Sequence, residues 1–136
     1  MTENLRPVRT LTLPTEDLLE AVSPLPEGIR AGVWDLVGEP KGLDYAEIDA
    51  VVLPYATRGS WAQGLERVPN LVLLQAQSTG YDGLPEMVGS GVAIATAAGV
   101  HVAGTAELAV ALMLASLRGV DDAVRNAANG VWDSRR

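Results

Sequence analysis

The sequence has no cysteine and no phenylalanine, and it has a single histidine among its 136 residues. Without cysteine the chain can form neither a disulfide nor a thiolate metal site, and it has no cysteine nucleophile. This composition suits a reducing compartment, so we expect a cytoplasmic protein. The one histidine, His101, is flanked by Val100 and Val102, which can neither orient nor polarise an imidazole. We therefore expect a structural role for it.

Basic residues are in the minority, with ten Lys and Arg against 17 Asp and Glu, which gives a formal net charge of −7. Nucleic acids and anionic membrane surfaces are themselves negative, so we expect neither as a partner. The longest apolar run, residues 108–115, is far shorter than the roughly 18 to 20 residues of a membrane span. Acidic pairs such as Asp121-Asp122 lack the spacing of metal ligands, so we expect no metal site.

Both glycine-rich phosphate-binding motifs are missing from the sequence. No G-x-G-x-x-G follows a predicted strand, no G-x-x-x-x-G-K-[ST] occurs, and Gly89-Ser90-Gly91 precedes a strand rather than a helix. We therefore expect that this chain alone binds no dinucleotide.

Short β-type runs alternate with helix-type runs along most of the chain. Thr15 is a predicted N-cap, Ser60 is a predicted cap of a short helix ending at Glu66, and Pro85 suits the first residue of another helix. Five strands alternating with helices predict a doubly wound parallel α/β sheet of flavodoxin-like topology, with strand order 2-1-3-4-5. The predicted strands are residues 8–13, 29–36, 48–54, 71–75 and 92–97.

A long apolar helix is predicted to follow the sheet. Thr105 is its expected N-cap, and Glu107 is expected to complement its dipole. The residues that follow, 108–117, are apolar on every face, and such a helix has to be covered all round. Because a sheet covers one side at most, we expect a further domain or subunit on the other side.

Two loops at the carboxyl ends of predicted strands are candidate binding elements. Ligands of open α/β sheets bind at this edge, and the N–H groups of a tight glycine turn bind anions. The loop from Gln77 to Asp82 contains such a turn, although an ordinary strand-to-helix turn with a positive φ at Gly80 is the alternative. Tyr55, in the preceding loop, is either at the mouth of the same site or an ordinary surface residue.

Short pieces in the right order and spacing make residues 48–136 resemble the NAD-dependent D-2-hydroxyacid dehydrogenases. The pieces are Gly80-x-Asp82 after a strand, Thr105-Ala106-Glu107, Leu117-Arg118 and Gly130-x-Trp132. The resemblance implies that a small 2-hydroxy or 2-oxo acid binds through its carboxylate to backbone amides of this loop, and that Thr105 faces the nicotinamide. The implied substrate-binding residues are Tyr55, Ser78, Thr79, Gly80 and Tyr81.

The same resemblance implies a substrate-binding domain over residues 1–103 and an interdomain and dimerisation segment over residues 104–136. The full-length enzyme would use NAD or NADP to interconvert D-2-hydroxy and 2-oxo acids, as a homodimer joined through the helix from Thr105. The family's catalytic residues lie in its downstream dinucleotide domain, so we expect none here, and Arg118 is not the family's catalytic arginine. We therefore expect a truncated and inactive chain; a non-catalytic flavodoxin-like dimerisation or ligand-binding module is the alternative.

Overall fold

The computed structural model describes residues 6–55 and 61–133, so the predicted cap Ser60 lies outside the described part. The chain divides into two compact units, the first ending at Ala97 and the second beginning at Ala98. The boundary predicted from the sequence, after residue 103, lies slightly further along the chain.

The first unit contains a five-stranded, all-parallel sheet with the order β2-β1-β3-β4-β5, which confirms the predicted topology. Each strand is shorter than its apolar run, because the ends of the runs already bend into loops. The strands are β1 (Thr10–Leu13), β2 (Arg30–Val33), β3 (Ala50–Val52), β4 (Leu73–Gln75) and β5 (Ala93–Ala95).

The core of this unit is centred on β3. Val51 pairs with Thr12 of β1 and with Leu74 of β4, and all three residues are fully buried. Trp34 and Trp61 are buried in the same unit, as expected for aromatic core residues. The third tryptophan, Trp132, belongs to the second unit and is 93% exposed.

The amino edge of the sheet is held by Asp49. Its carboxylate accepts hydrogen bonds from the backbone N–H groups of Arg9 and Thr10, both at 3.0 Å, and it pairs with Arg6 at 2.7 Å. Arg6 also donates to the carbonyl of Asn70 at 2.7 Å. Together, Asp49 and its partner Arg6 therefore connect the chain entering β1 to the chain entering β4.

Three short helices connect the strands, namely α1 (Glu16–Ala21), α2 (Trp61–Leu65) and α3 (Leu84–Val88), and a 3₁₀ turn (Tyr45–Glu47) precedes β3. The predicted N-cap of α1 is confirmed, because the Thr15 hydroxyl accepts a hydrogen bond from the N–H of Leu18 at 3.2 Å. Pro85 is the second residue of α3 rather than the first.

The second unit consists of two helices, α4 (Val102–Arg118) and α5 (Val120–Ala128), separated by Gly119 at φ 61°. The predicted capping role of Thr105 is wrong. Thr105 lies inside the first turn of α4, where its N–H and its hydroxyl both donate to the carbonyl of His101, at 3.1 and 2.9 Å. The helix therefore begins four residues earlier than predicted, with His101 at the N-cap position, and Glu107 lies beyond the first turn, where the dipole effect fades.

The side chains of α4 are exposed over its whole length, apart from half-buried Ala115. The large apolar ones are Val102, Leu108, Val110, Leu112, Met113, Leu114 and Leu117. Among the described residues no single helix is long and apolar enough to cross a membrane. Only α4 and α5 taken together are long and apolar enough, and this pair is bent by 60° at its junction.

Candidate functional site

The two candidate loops leave the sheet side by side. Val52 at the end of β3 pairs with Gln75 at the end of β4, and in a parallel pair both strands deliver their loops to the same edge. The side-chain amide of Gln77 then donates to the carbonyl of Leu53 at 2.7 Å, which fastens the second loop to the first. This edge is also the one at which open α/β sheets bind ligands.

The loop from Ser78 to Tyr81 is fixed at both ends. The carbonyl of Ser78 accepts from the N–H of Ala97 beyond β5 at 3.0 Å, and the carbonyl of Tyr81 accepts from the N–H of Leu84 at 3.0 Å. Inside the loop, the Ser78 hydroxyl donates to the carbonyl of Gly80 at 3.1 Å. The backbone is therefore held by its carbonyl groups, while its N–H groups are left for another partner.

Three consecutive backbone N–H groups of this loop are available to donate hydrogen bonds to a ligand at this edge of the sheet. Within residues 6–55 and 61–133, the N–H groups of Thr79, Gly80 and Tyr81 donate no hydrogen bond. Successive backbone donors of this kind suit an anion such as a carboxylate. The family resemblance of the sequence implied that an acid binds to backbone amides of this same loop, and Thr79, Gly80 and Tyr81 are among the residues it implied.

The positive φ at Gly80, which the alternative interpretation of this loop as an ordinary turn predicted, is wrong. The φ of Gly80 lies outside the positive region, and a Cβ added there would first meet Asp82 Oδ2 at 3.5 Å, an ordinary contact. Gly83, at φ 77°, is the residue that turns the chain into α3. The left-handed conformation that favours glycine thus falls three residues later than predicted.

Two tyrosines stand at the predicted site. Tyr55, two residues after Leu53, is 68% exposed, and Tyr81 is 60% exposed. Tyr55 and the loop from Ser78 to Tyr81 are thus placed by neighbouring strands of one unit. Thr105 belongs to the second unit, and its predicted role toward the nicotinamide stays a prediction.

A separate cleft of about 420 Å³ lies at the carboxyl ends of β1 and β2. Lys41 and Glu16, both at its rim, form an ion pair at 2.9 Å, and the hydrogen bond to Glu16 raises the pKa of the Lys41 ammonium. Asp35 and Glu39 also line the cleft, so its carboxylates outnumber the one ammonium group of Lys41. The excess of negative charge disfavours the binding of an acid in this cleft. No motif in the sequence predicts this cleft, although the acidic pair Glu16-Asp17 follows the first strand directly.

The described part of the chain contains no group of three or more His, Asp or Glu side chains that could hold a metal ion.

No family model matches the chain, and no curated protein matches it in sequence. One solved structure with a similar fold is a D-isomer specific 2-hydroxyacid dehydrogenase from Xanthobacter autotrophicus Py2 in complex with NADPH and MES. The TM-score is 0.68 at 16% sequence identity, over 95% of this chain and 42% of that chain. The chain thus has the fold of part of a dehydrogenase and spans less than half of that protein's length.

Proposed function

We propose that this chain is the substrate-binding part of an NAD(P)-dependent oxidoreductase that interconverts D-2-hydroxy acids and 2-oxo acids. The observation that carries the proposal is that the N–H groups of Thr79, Gly80 and Tyr81 donate to no other described residue. They lie at the ligand-binding edge of a sheet whose fold is shared with a dehydrogenase crystallised with NADPH. The sequence motifs Gly80-x-Asp82 and Leu117-Arg118 support the same assignment.

In this proposal the three amides hold the carboxylate of the acid. Neighbouring residues at the same edge hold the loop that carries these amides in place. Ser78 keeps the carbonyl of Gly80 turned away by its 3.1 Å hydrogen bond, and Gln77 fixes the loop to Leu53. Tyr55 and Tyr81 flank the acid. A carboxylate held by backbone donors has a fixed orientation, which is what hydride transfer to the adjacent carbon requires.

The residues of this chain do not fit a dinucleotide, because no G-x-G-x-x-G turn follows any of the strands. We assign the cofactor and the proton-transferring residues of the proposed enzyme to a part of the protein other than these residues. The chain by itself is then expected to show no dehydrogenase activity, and Thr105 is proposed only to face the nicotinamide of the assembled enzyme.

A homodimer through α4 forms part of the proposal. Seven large apolar side chains of α4 are each about half exposed or more, with Leu117 at 82%. Burial of such a side chain contributes roughly 1.5 to 3 kcal/mol, and an apolar patch of this extent is uncommon on monomers. The exposed helix also favours the second candidate function, a dimerisation module without catalytic activity.

Saturation-transfer NMR on the chain distinguishes the two functions, since it detects millimolar binding. We expect 2-oxopentanoate to bind, 2-pentanone, which lacks the carboxylate, to bind far more weakly, and NADPH not to bind saturably. Absence of 2-oxopentanoate binding by a folded chain would contradict the oxidoreductase proposal and leave the module. Saturable NADPH binding would contradict the assignment of the cofactor to another part of the protein.

A further inference from the structure

One acidic side chain lies against the loop that carries the three amides. Asp82 Oδ2 is 3.5 Å from the position that a Cβ on Gly80 would occupy. The carboxylate of Asp82 therefore lies close to Gly80, although Asp82 itself is exposed to water. A negative charge thus lies near Gly80, whose N–H group is one of the three that are proposed to hold an acid.

No basic residue accompanies these amides in the sequence. Between Arg67 and Arg118 the chain contains no Lys or Arg at all, whereas it contains Asp82, Glu86 and Glu107. Four basic residues of the first unit are already paired with carboxylates elsewhere: Arg6 with Asp49, Arg30 with Glu47, Lys41 with Glu16, and Arg67 with Glu39. The loop therefore offers neutral donors and one negative charge.

We propose that Asp82 makes this site selective for monocarboxylic acids and against acids that carry a second negative charge. The inference rests on the proposed function, because it concerns the acid that the loop binds. Neutral N–H groups stabilise one carboxylate, but a second carboxylate on the same ligand meets no Lys or Arg from the described stretch between Arg67 and Arg118 and is repelled by Asp82. At a site open to water, one like charge several ångströms away lowers the affinity by about two- to fivefold.

The test compares two acids of the same carbon-chain length, 2-oxopentanoate and 2-oxoglutarate, which differ in the terminal carboxylate. Residue-resolved NMR titrations of the full chain follow the amide signals of Thr79, Gly80 and Tyr81 and give a Kd for each acid. We expect the monoanion to bind about threefold more tightly at low salt. The preference should shrink as NaCl is added, because salt screens exposed charges.

Asp82→Asn should strengthen the binding of both acids, and that of the dianion 2-oxoglutarate more, so that the two Kd values come close to equality. Glu27→Gln is the matched control, since Glu27 is exposed in the turn before β2, at the opposite edge of the sheet, and its loss changes the net charge equally. This variant should keep the wild-type ratio. If Asp82→Asn does not fold, the salt dependence of the wild-type ratio tests the same claim.

Equal affinity of the wild-type chain for both acids would overturn the inference, as would a ratio unchanged by Asp82→Asn. Tighter binding of 2-oxoglutarate would also overturn it and would point to a basic residue outside the described part, such as Arg58. If neither acid moves the loop signals in any variant, the proposed function fails, and the selectivity claim fails with it.

Discussion

The side chain of Gln77 and the carbonyl of Leu53 are joined by a 2.7 Å hydrogen bond that spans 24 residues of sequence. It connects the segment that follows β4 to the segment that follows β3, at the point where both leave the sheet. Through this bond, the loop carrying Tyr55 and the loop carrying the three amides form one edge structure.

Gln77→Ala should therefore loosen the edge. We expect a loss of about 1 kcal/mol in the free energy of unfolding, as is usual for one partly buried hydrogen bond. Urea denaturation measures this loss. Gln63→Ala on α2 is the control, because Gln63 is exposed, and it should leave the stability nearly unchanged.

Gly83 and Gly80 should differ sharply in their tolerance of a side chain. Gly83→Ala places a Cβ on a residue at φ 77° and should cost about 1 to 2 kcal/mol. Gly80→Ala meets no contact closer than 3.5 Å and should have little effect on stability. Thermal unfolding of the two variants in parallel tests this order, and a larger loss for Gly80→Ala would mean that the turn has been assigned to the wrong glycine.

The stability of the first unit should fall in acid partly because of Glu47. The N–H of Asp44, and then the guanidinium of Arg30, hold the pKa of the Glu47 carboxyl below its usual 4.5. A lowered pKa in the folded state adds stability that is fully present above pH 4.5 and is lost as the pH falls through the folded value. Glu47→Gln should flatten this part of the pH dependence, measured as urea midpoints between neutral and acidic pH.

Glu20→Gln, at an exposed position on α1, is the control for that experiment. If it flattens the profile as much as Glu47→Gln does, the effect is one of net charge and not of the hydrogen bonds to Glu47.

Self-association should depend on α4. Sedimentation equilibrium is expected to show a dimer at micromolar concentration, and Leu112→Asp or Leu114→Asp should each shift it toward monomer by placing a charge in the apolar contact. Gln63→Glu adds a charge on α2 and should leave the dimer intact. A well-folded wild-type monomer would contradict the dimer proposal.

The sequence predicted the architecture because the architecture depends on local signals. Apolar runs of strand length and the Thr15 cap are set within a few residues, and the strand order follows from short connections between parallel strands. The continuous apolar run around Val51 indicated a strand covered on both faces, and Val51 is fully buried.

The errors arose where two local arrangements compete for one motif. A threonine before a glutamate suits an N-cap, but Thr105 bonds backwards to His101 inside the helix. In the loop from Gly80 to Gly83, either glycine can take the positive φ, and the position of α3 assigned it to Gly83. The bonds of Asp49 and Gln77 join residues far apart in sequence, which no local pattern reveals.

The central claim is that the N–H groups of Thr79, Gly80 and Tyr81 hold the carboxylate of a 2-oxo acid. A crystal structure of the chain grown with saturating 2-oxopentanoate tests it most directly. We predict carboxylate oxygens within about 2.7 to 3.2 Å of these nitrogens, the normal range of N–H···O bonds. An acid bound instead in the cleft between Thr15 and Lys41, with the loop amides facing water, would contradict the account.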